Sequence, residues 1–167
     1  RKFTQGLAAV CRAKGASLQF GRAVTRLEKD GDRLTGARTA NGVVTGDAYV
    51  LALGVSSPFL AAPLGIDLPV YPVKGYAMTV PITDATKVAR LGGVDEDNLL
   101  AYCPMGDRLR LTATAEIAGY STAHRRRDFA VMTARARELF PQGADFARAE
   151  HWAGLRPMTP TAMPIVD

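Results

Sequence analysis

Leu99-Leu100-Ala101-Tyr102-Cys103-Pro104 and Arg108-Leu109-Arg110-Leu111-Thr112-Ala113-Thr114-Ala115 read as two strands joined by the turn Met105-Gly106-Asp107. A turn this short joins antiparallel strands, because a parallel pair needs a crossover of about a dozen residues or more. Residues 70–80 before the pair are strand-like, and residues 149–154 after it form a further strand candidate. Residues 124–140 read as a helix, with Phe129, Met132, Leu139 and Phe140 on one face and Pro141 stopping it. Antiparallel strands around one long helix make this part an α+β domain.

Upstream the pattern changes. Phe3, Leu7, Val10 and Cys11 recur at helical spacing and Gly15 follows as a C-cap, which predicts a helix over 2–14 with Cys11 packed in a core. Residues 18–20 are a short strand candidate. Asp30-Gly31 and Asn41-Gly42 both tolerate the positive φ of tight hairpins, so residues 24–45 read as a three-stranded meander. Ala48-Tyr49-Val50-Leu51-Ala52-Leu53 is almost wholly apolar, as a strand covered on both faces in a parallel sheet would be. Gly54 ends it, and Ser56, Ser57 and Pro58 open a short helix to about residue 64. This first part reads as a fragment of a doubly wound α/β domain, with a soft boundary at 63–69.

Composition narrows the function classes. Apolar residues make up 47% and charged residues 22% of the 167 residues, ordinary for a globular protein and unlike a disordered one. No apolar run approaches the roughly 20 residues that cross a bilayer. No signal peptide is evident, no initiator methionine is present, and the chain stops just after Met163-Pro164-Ile165-Val166, so it reads as the middle of a longer protein. The net charge is +5. Its densest run, Arg125-Arg126-Arg127, sits near a helix start and reads as a solvated face; no aromatic residues interleave with it as a single-strand nucleic-acid groove requires. Two cysteines, Cys11 and Cys103, and two histidines, His124 and His151, form no CxxC or HExxH pattern, so no zinc site is expected. Distant cysteines without a secretory signal point to a reducing compartment.

Three segments are familiar together: Tyr49-Val50-Leu51-Ala52-Leu53-Gly54, Asp67-Leu68-Pro69-Val70-Tyr71-Pro72-Val73-Lys74-Gly75-Tyr76, and Gly154-Leu155-Arg156-Pro157-Met158-Thr159-Pro160. With them the chain resembles, over nearly its whole length, the D-amino-acid dehydrogenase small-subunit family, within the wider D-amino-acid oxidase and glycine oxidase superfamily. The Gly-Leu-Arg-Pro segment is the most specific part. The resemblance implies an FAD domain and a substrate domain interleaved in sequence. Residues 1–66 would be part of the FAD domain, 67–155 the antiparallel substrate domain, and 156–167 a segment returning toward the flavin. The chain holds no GxGxxG, the motif that sets a dinucleotide pyrophosphate on a helix N-terminus. The isolated segment is therefore expected to bind FAD weakly or not at all. The family often reads Thr-Pro-Asp-Gly-x-Pro after its arginine. Here Thr161-Ala162 replaces the Asp-Gly, removing a permissive backbone position.

Arg156 matches the family arginine that grips the substrate carboxylate, a task suited to a planar, permanently charged guanidinium. Tyr102 matches a tyrosine that can hydrogen-bond the same carboxylate. By resemblance, Val24 would meet the adenine through its backbone, Ala52, Leu53 and Gly54 would end a strand at the cofactor, and Lys74 and Gly75 would lie on the flavin side of the pocket. His151 and Trp152 read as packing or strand residues. The resemblance implies oxidative deamination of a D-amino acid to a 2-oxo acid and ammonia. It also implies a respiratory acceptor such as a quinone and a cytoplasmic location, peripheral on the inner membrane. Two other readings stand beside this one: a glycine- or sarcosine-type amine oxidase using oxygen, and a non-catalytic binding module with a flavoprotein-like fold.

Overall fold

The computed structural model describes residues 2–166 and divides into two compact units. One holds residues 1–52 and 59–66, the other 53–58 and 67–167.

The first unit carries helix α1 (Lys2–Ala13) and the strands β1 (Val24–Asp30), β2 (Arg33–Thr39) and β3 (Gly42–Val44), which form an antiparallel sheet in the order β1-β2-β3. The expected meander is present, and both hairpins turn where glycine permits it: Gly31 has φ +57° and Gly42 φ +117°. Thr39 tightens the second turn. Its hydroxyl donates to Gly42 O at 3.0 Å and accepts from Asn41 N at 3.2 Å. Glu28 bridges Arg26 and Arg38, whose hydrogen bonds hold its carboxyl below the usual carboxylate range.

Three expectations for this unit fail. Helix α1 forms, but Phe3 and Leu7 on its apolar face are exposed and Cys11 is only half-buried, so Cys11 is not core packing. Residues 18–20 form no strand, and Phe20 stands out into solvent. The apolar run 48–53 is not a strand either. Val50 is 93% exposed, and neither sheet of the described residues supplies a ladder beside it. An apolar run becomes strand only when a neighbour pairs its backbone N–H and C=O groups.

After the 3-10 turn Gly54–Ser56, the short helix α2 (Ser57–Ala61) and a second 3-10 turn end at Gly65, whose φ of +85° closes the segment. The second unit is then an antiparallel sheet of β4 (Tyr71–Pro81), β5 (Gly93–Asp95), β6 (Leu100–Met105), β7 (Arg108–Glu116) and β8 (Glu150–Met158), in the order β5-β6-β7-β4-β8. Strand β5 was not anticipated, and β8 runs on to Met158 rather than stopping at Gly154, so Arg156 sits within it. Helix α3 (Ala130–Leu139) starts later than expected, after the 3-10 turn Arg126–Phe129. With these differences the architecture is the expected mix of helices and antiparallel sheet, an α+β fold.

Strand alternation gives this sheet two unlike faces. Tyr76, Met78 and Val80 of β4, Leu109 and Leu111 of β7 and Ala153 of β8 point to one face. Phe129, Met132, Ala136 and Phe140, spaced one helical turn apart, cover it. Met78, Val80, Leu109, Leu111 and Phe129 are completely buried there. The other face carries Gly75, Ala77 and Thr79 of β4, Arg110 and Thr112 of β7, and Glu150, Trp152, Gly154 and Arg156 of β8.

Candidate active site

The uncovered face of the five-stranded sheet gathers the chemistry-bearing residues of β8. Register fixes which side chains meet. Arg156 lies opposite Val73, Gly154 opposite Gly75, and Trp152 opposite Ala77, while Gly75 also faces Ala115 on β7. Gly75 and Ala115 thus leave a strip almost free of side chains across β4 and β7. A Cβ at Gly75 would meet nothing within 4 Å. Arg156 stands at the edge of this strip. It is exposed and makes no hydrogen bond or ion pair among the described residues. Its five guanidinium donors are thus free to receive an anion such as a carboxylate.

Trp152 and Arg110 complete this face; the sequence does not single out Arg110, and it reads Trp152 as a packing or strand residue. Trp152 is a strand residue of β8, 57% exposed rather than packed in a core. Its indole leans along β8 over Gly154, where any Cβ would fall inside the ring. The Arg110 guanidinium lies 5.6 Å from the ring centroid, a cation–π contact. One place further along the same face, Arg108 pairs with Glu150 at 2.8 Å. The missed signal was the alternation of Glu150, Trp152, Gly154 and Arg156, which puts all four on one face.

The structure does not bring Tyr102 to Arg156. Tyr102 lies opposite Leu111, on the helix-covered face, with its ring edge-on to Phe140 at 5.2 Å. Arg156 points away from that face. The two side chains flank the sheet and do not converge on one small anion. His151 shares the covered face and packs at 4.4 Å against Phe129. Burial holds its imidazole below the ordinary 6.5, with the Arg126 and His124 charges adding to the effect. This is a packing role, as expected.

Lys74 likewise turns to the covered side. Its ammonium is buried, donates to Ala123 O at 2.5 Å and lies 3.3 Å from the Glu116 carboxylate. Tyr76 donates its phenolic proton to the same carboxylate. The arrangement depends on a bulge. Thr114, with φ +63°, is the extra residue where Gly75 pairs Ala115 but Tyr76 pairs Ala113. Were Thr114 paired with Gly75 instead of bulged, Ala115 would stand opposite Lys74, in the place Glu116 takes. Hydrogen bonding to Tyr76 and then Glu116 raises the Lys74 pKa against the cost of burial, while Tyr76 and Lys74 together lower that of Glu116. An open cleft of about 580 Å³ beside this trio is lined also by His124, Arg125, Arg127 and Asp128.

Of the other residues, Leu53 and Gly54 lie in the same unit as β8. Gly54 has φ +55°, and a Cβ there would stand 3.6 Å from the Pro157 ring next to Arg156. Val24 and Ala52 belong to the first unit. Among the described residues no three His, Cys, Asp or Glu side chains gather as a metal site, and no helix is long and apolar enough to cross a membrane.

The family model described as "FAD dependent oxidoreductase" matches residues 1–167. The chain belongs to that family. Among curated relatives of this FAD-dependent family, D-amino acid dehydrogenase 2 of Mesorhizobium japonicum is 47% identical over 99% of the chain. The D-amino acid dehydrogenase of Methylobacterium radiotolerans is 48% identical over 98% of it. The chain spans about 40% of the length of these relatives. Among solved structures, glycine oxidase from Bacillus cereus superposes with a TM-score of 0.80 at 24% identity, covering 96% of this chain and 44% of its own. L-proline dehydrogenase from P. horikoshii also gives 0.80, at 15% identity, over 94% of this chain and 43% of its own. Identities this low establish a shared fold.

Proposed function

We propose that this chain is the substrate-gripping part of an FAD-dependent dehydrogenase that converts D-amino acids to 2-oxo acids and ammonia. The observation that carries the reading is Arg156, exposed and without a partner among the described residues, beside a bare strip on the uncovered sheet face. The names of the curated relatives support the D-amino-acid substrate class.

In this reading Arg156 takes the substrate carboxylate in two parallel charge-assisted hydrogen bonds. Gly75, with nothing within 4 Å of where a Cβ would stand, lets a flat ring system and the substrate Cα approach the sheet, so the residues present fit a flavin on this face. Bound FAD supplies the electron-accepting chemistry. The protein's share is orientation: a fixed carboxylate leaves the Cα–H and the amine in one defined pose. Residues 67–155 form the substrate-binding part, 1–66 contribute to the FAD domain, with Val24, Ala52, Leu53 and Gly54 as its contacts, and 156–167 return toward the flavin. The electron acceptor in this reading is respiratory, a quinone, reached at the cytoplasmic face of the inner membrane.

The test is kinetic. The full-length, flavin-loaded protein that contains this segment is assayed with D-alanine, glycine and sarcosine, and its reoxidation by oxygen is compared with that by a quinone analogue. Turnover of D-alanine with quinone as the faster oxidant is expected. Preference for glycine or sarcosine with rapid oxygen consumption would replace this reading by the amine-oxidase one.

A further inference from the structure

Large aromatic side chains on a sheet face are normally covered. On this sheet Tyr71 of β4 and Trp152 of β8 are exposed. Trp152 is more than half exposed, yet it does not stand clear of the surface. Its indole lies down along β8 onto Gly154 and contacts the Arg110 guanidinium. Same-face neighbours on a strand are about 7 Å apart. Gly154 is the single same-face residue between Trp152 and Arg156, so the indole occupies the step that adjoins the arginine.

We propose that Trp152, seated on Gly154 and stacked with Arg110, is the wall that sets the upper size of the substrate side chain beside Arg156. The proposal rests on the reading of Arg156 as the carboxylate site. A carboxylate held by Arg156 has two ways to extend over this face. Toward β4 it meets Val73 and the bare Gly75, with Tyr71 beyond Val73 on the side away from Gly75. Along β8 it meets the indole. A side chain of one or two carbons fits in the step, and a longer one runs into the ring. Gly154 is required for this arrangement because any side chain there would displace the indole. Arg110 holds the ring by its face and carries a second positive charge into the site.

Binding of two carboxylates, acetate and phenylacetate, to the flavin-loaded protein is followed by the change in flavin absorbance, and kcat/KM is measured for D-alanine and D-phenylalanine. Trp152→Ala should improve phenylacetate relative to acetate, and D-phenylalanine relative to D-alanine, by about tenfold, the scale on which pocket volume discriminates. Trp152→Phe should move both ratios the same way by a smaller factor and serves if the alanine variant folds poorly. A structural role alone would lower all four values together and leave the ratios unmoved, which overturns the proposal. Arg156→Leu separates the two ideas. If it abolishes acetate binding while the Trp152 variants leave the ratios unchanged, only the wall is wrong. If acetate binds Arg156→Leu as it binds the native protein, the carboxylate site is wrong and the wall falls with it.

Discussion

The two faces of the five-stranded sheet are made from the same strands and share almost nothing else. One is covered: Met78, Val80, Leu109 and Leu111 interlock with Phe129, Met132, Ala136 and Phe140, and at its edge, beside the open cleft, Lys74, Tyr76 and Glu116 satisfy one another. The other bears glycines and alanines, one exposed indole and arginines, of which Arg156 has no partner among the described residues. Alternation with a period of two separates the roles: even one residue of slip would exchange them. In the proposed reading stability resides on the covered face and recognition on the bare one. A substitution should therefore affect stability or turnover according to the face it lies on.

The largest effect expected is on the covered face. Phe129→Ala removes a completely buried ring at the start of the covering helix and should cost about 3–5 kcal/mol, read as a lower denaturant midpoint. A loss below about 1 kcal/mol would mean the two faces are not divided as described. Next comes Arg156→Leu on the bare face. It should lower kcat/KM for a D-amino acid by roughly a hundredfold or more, since removing one partner of a charge-assisted pair costs about 2–5 kcal/mol. The unfolding midpoint should barely move. Tyr102→Phe sharpens the contrast. The phenol lies on the covered side, so kcat/KM should change by less than about threefold, the scale of a lost peripheral hydrogen bond. A loss approaching that of Arg156→Leu would show that the phenol reaches the substrate after all.

The smallest effect concerns pH. His151 has its pKa lowered by burial, so its neutral form is the one the fold favours. Above 6.5 it is neutral in both folded and unfolded chains and contributes nothing to the pH dependence. As pH falls below that value, the unfolded chain takes up the proton first and stability declines. His151→Asn should flatten the melting temperature between about pH 6.5 and 5 relative to the native protein. The paired carboxylates Glu28, Asp84, Asp95 and Glu116 have lowered pKa values and lose their stabilisation only at more acid pH, so they do not obscure this window. An identical slope in the variant would mean that His151 charges freely within the fold.

Much of this was legible in the residues. The meander was readable because Asp30-Gly31 and Asn41-Gly42 encode their turns locally, and β6 and β7 because Gly106 turns between them. The α3 region was readable because its apolar spacing is strict. Residues 48–53 misled because strand formation depends on a partner that no local pattern supplies. The three-residue strand β5 is too short to show a period, and the register slip at Thr114 leaves no mark in composition.

At the site, the sequence by itself singled out Arg156 through the resemblance carried by Gly154-Leu155-Arg156-Pro157, a short local motif that can be read without knowing any neighbour. Only the tertiary structure decided what stands beside it. Strand pairing removed Lys74 and Tyr102 to the covered side, and it placed the Arg110 guanidinium on Trp152, which leans over Gly154 beside Arg156. Cross-strand neighbours are set by register, and register is fixed by the packing of the whole sheet rather than by any one segment.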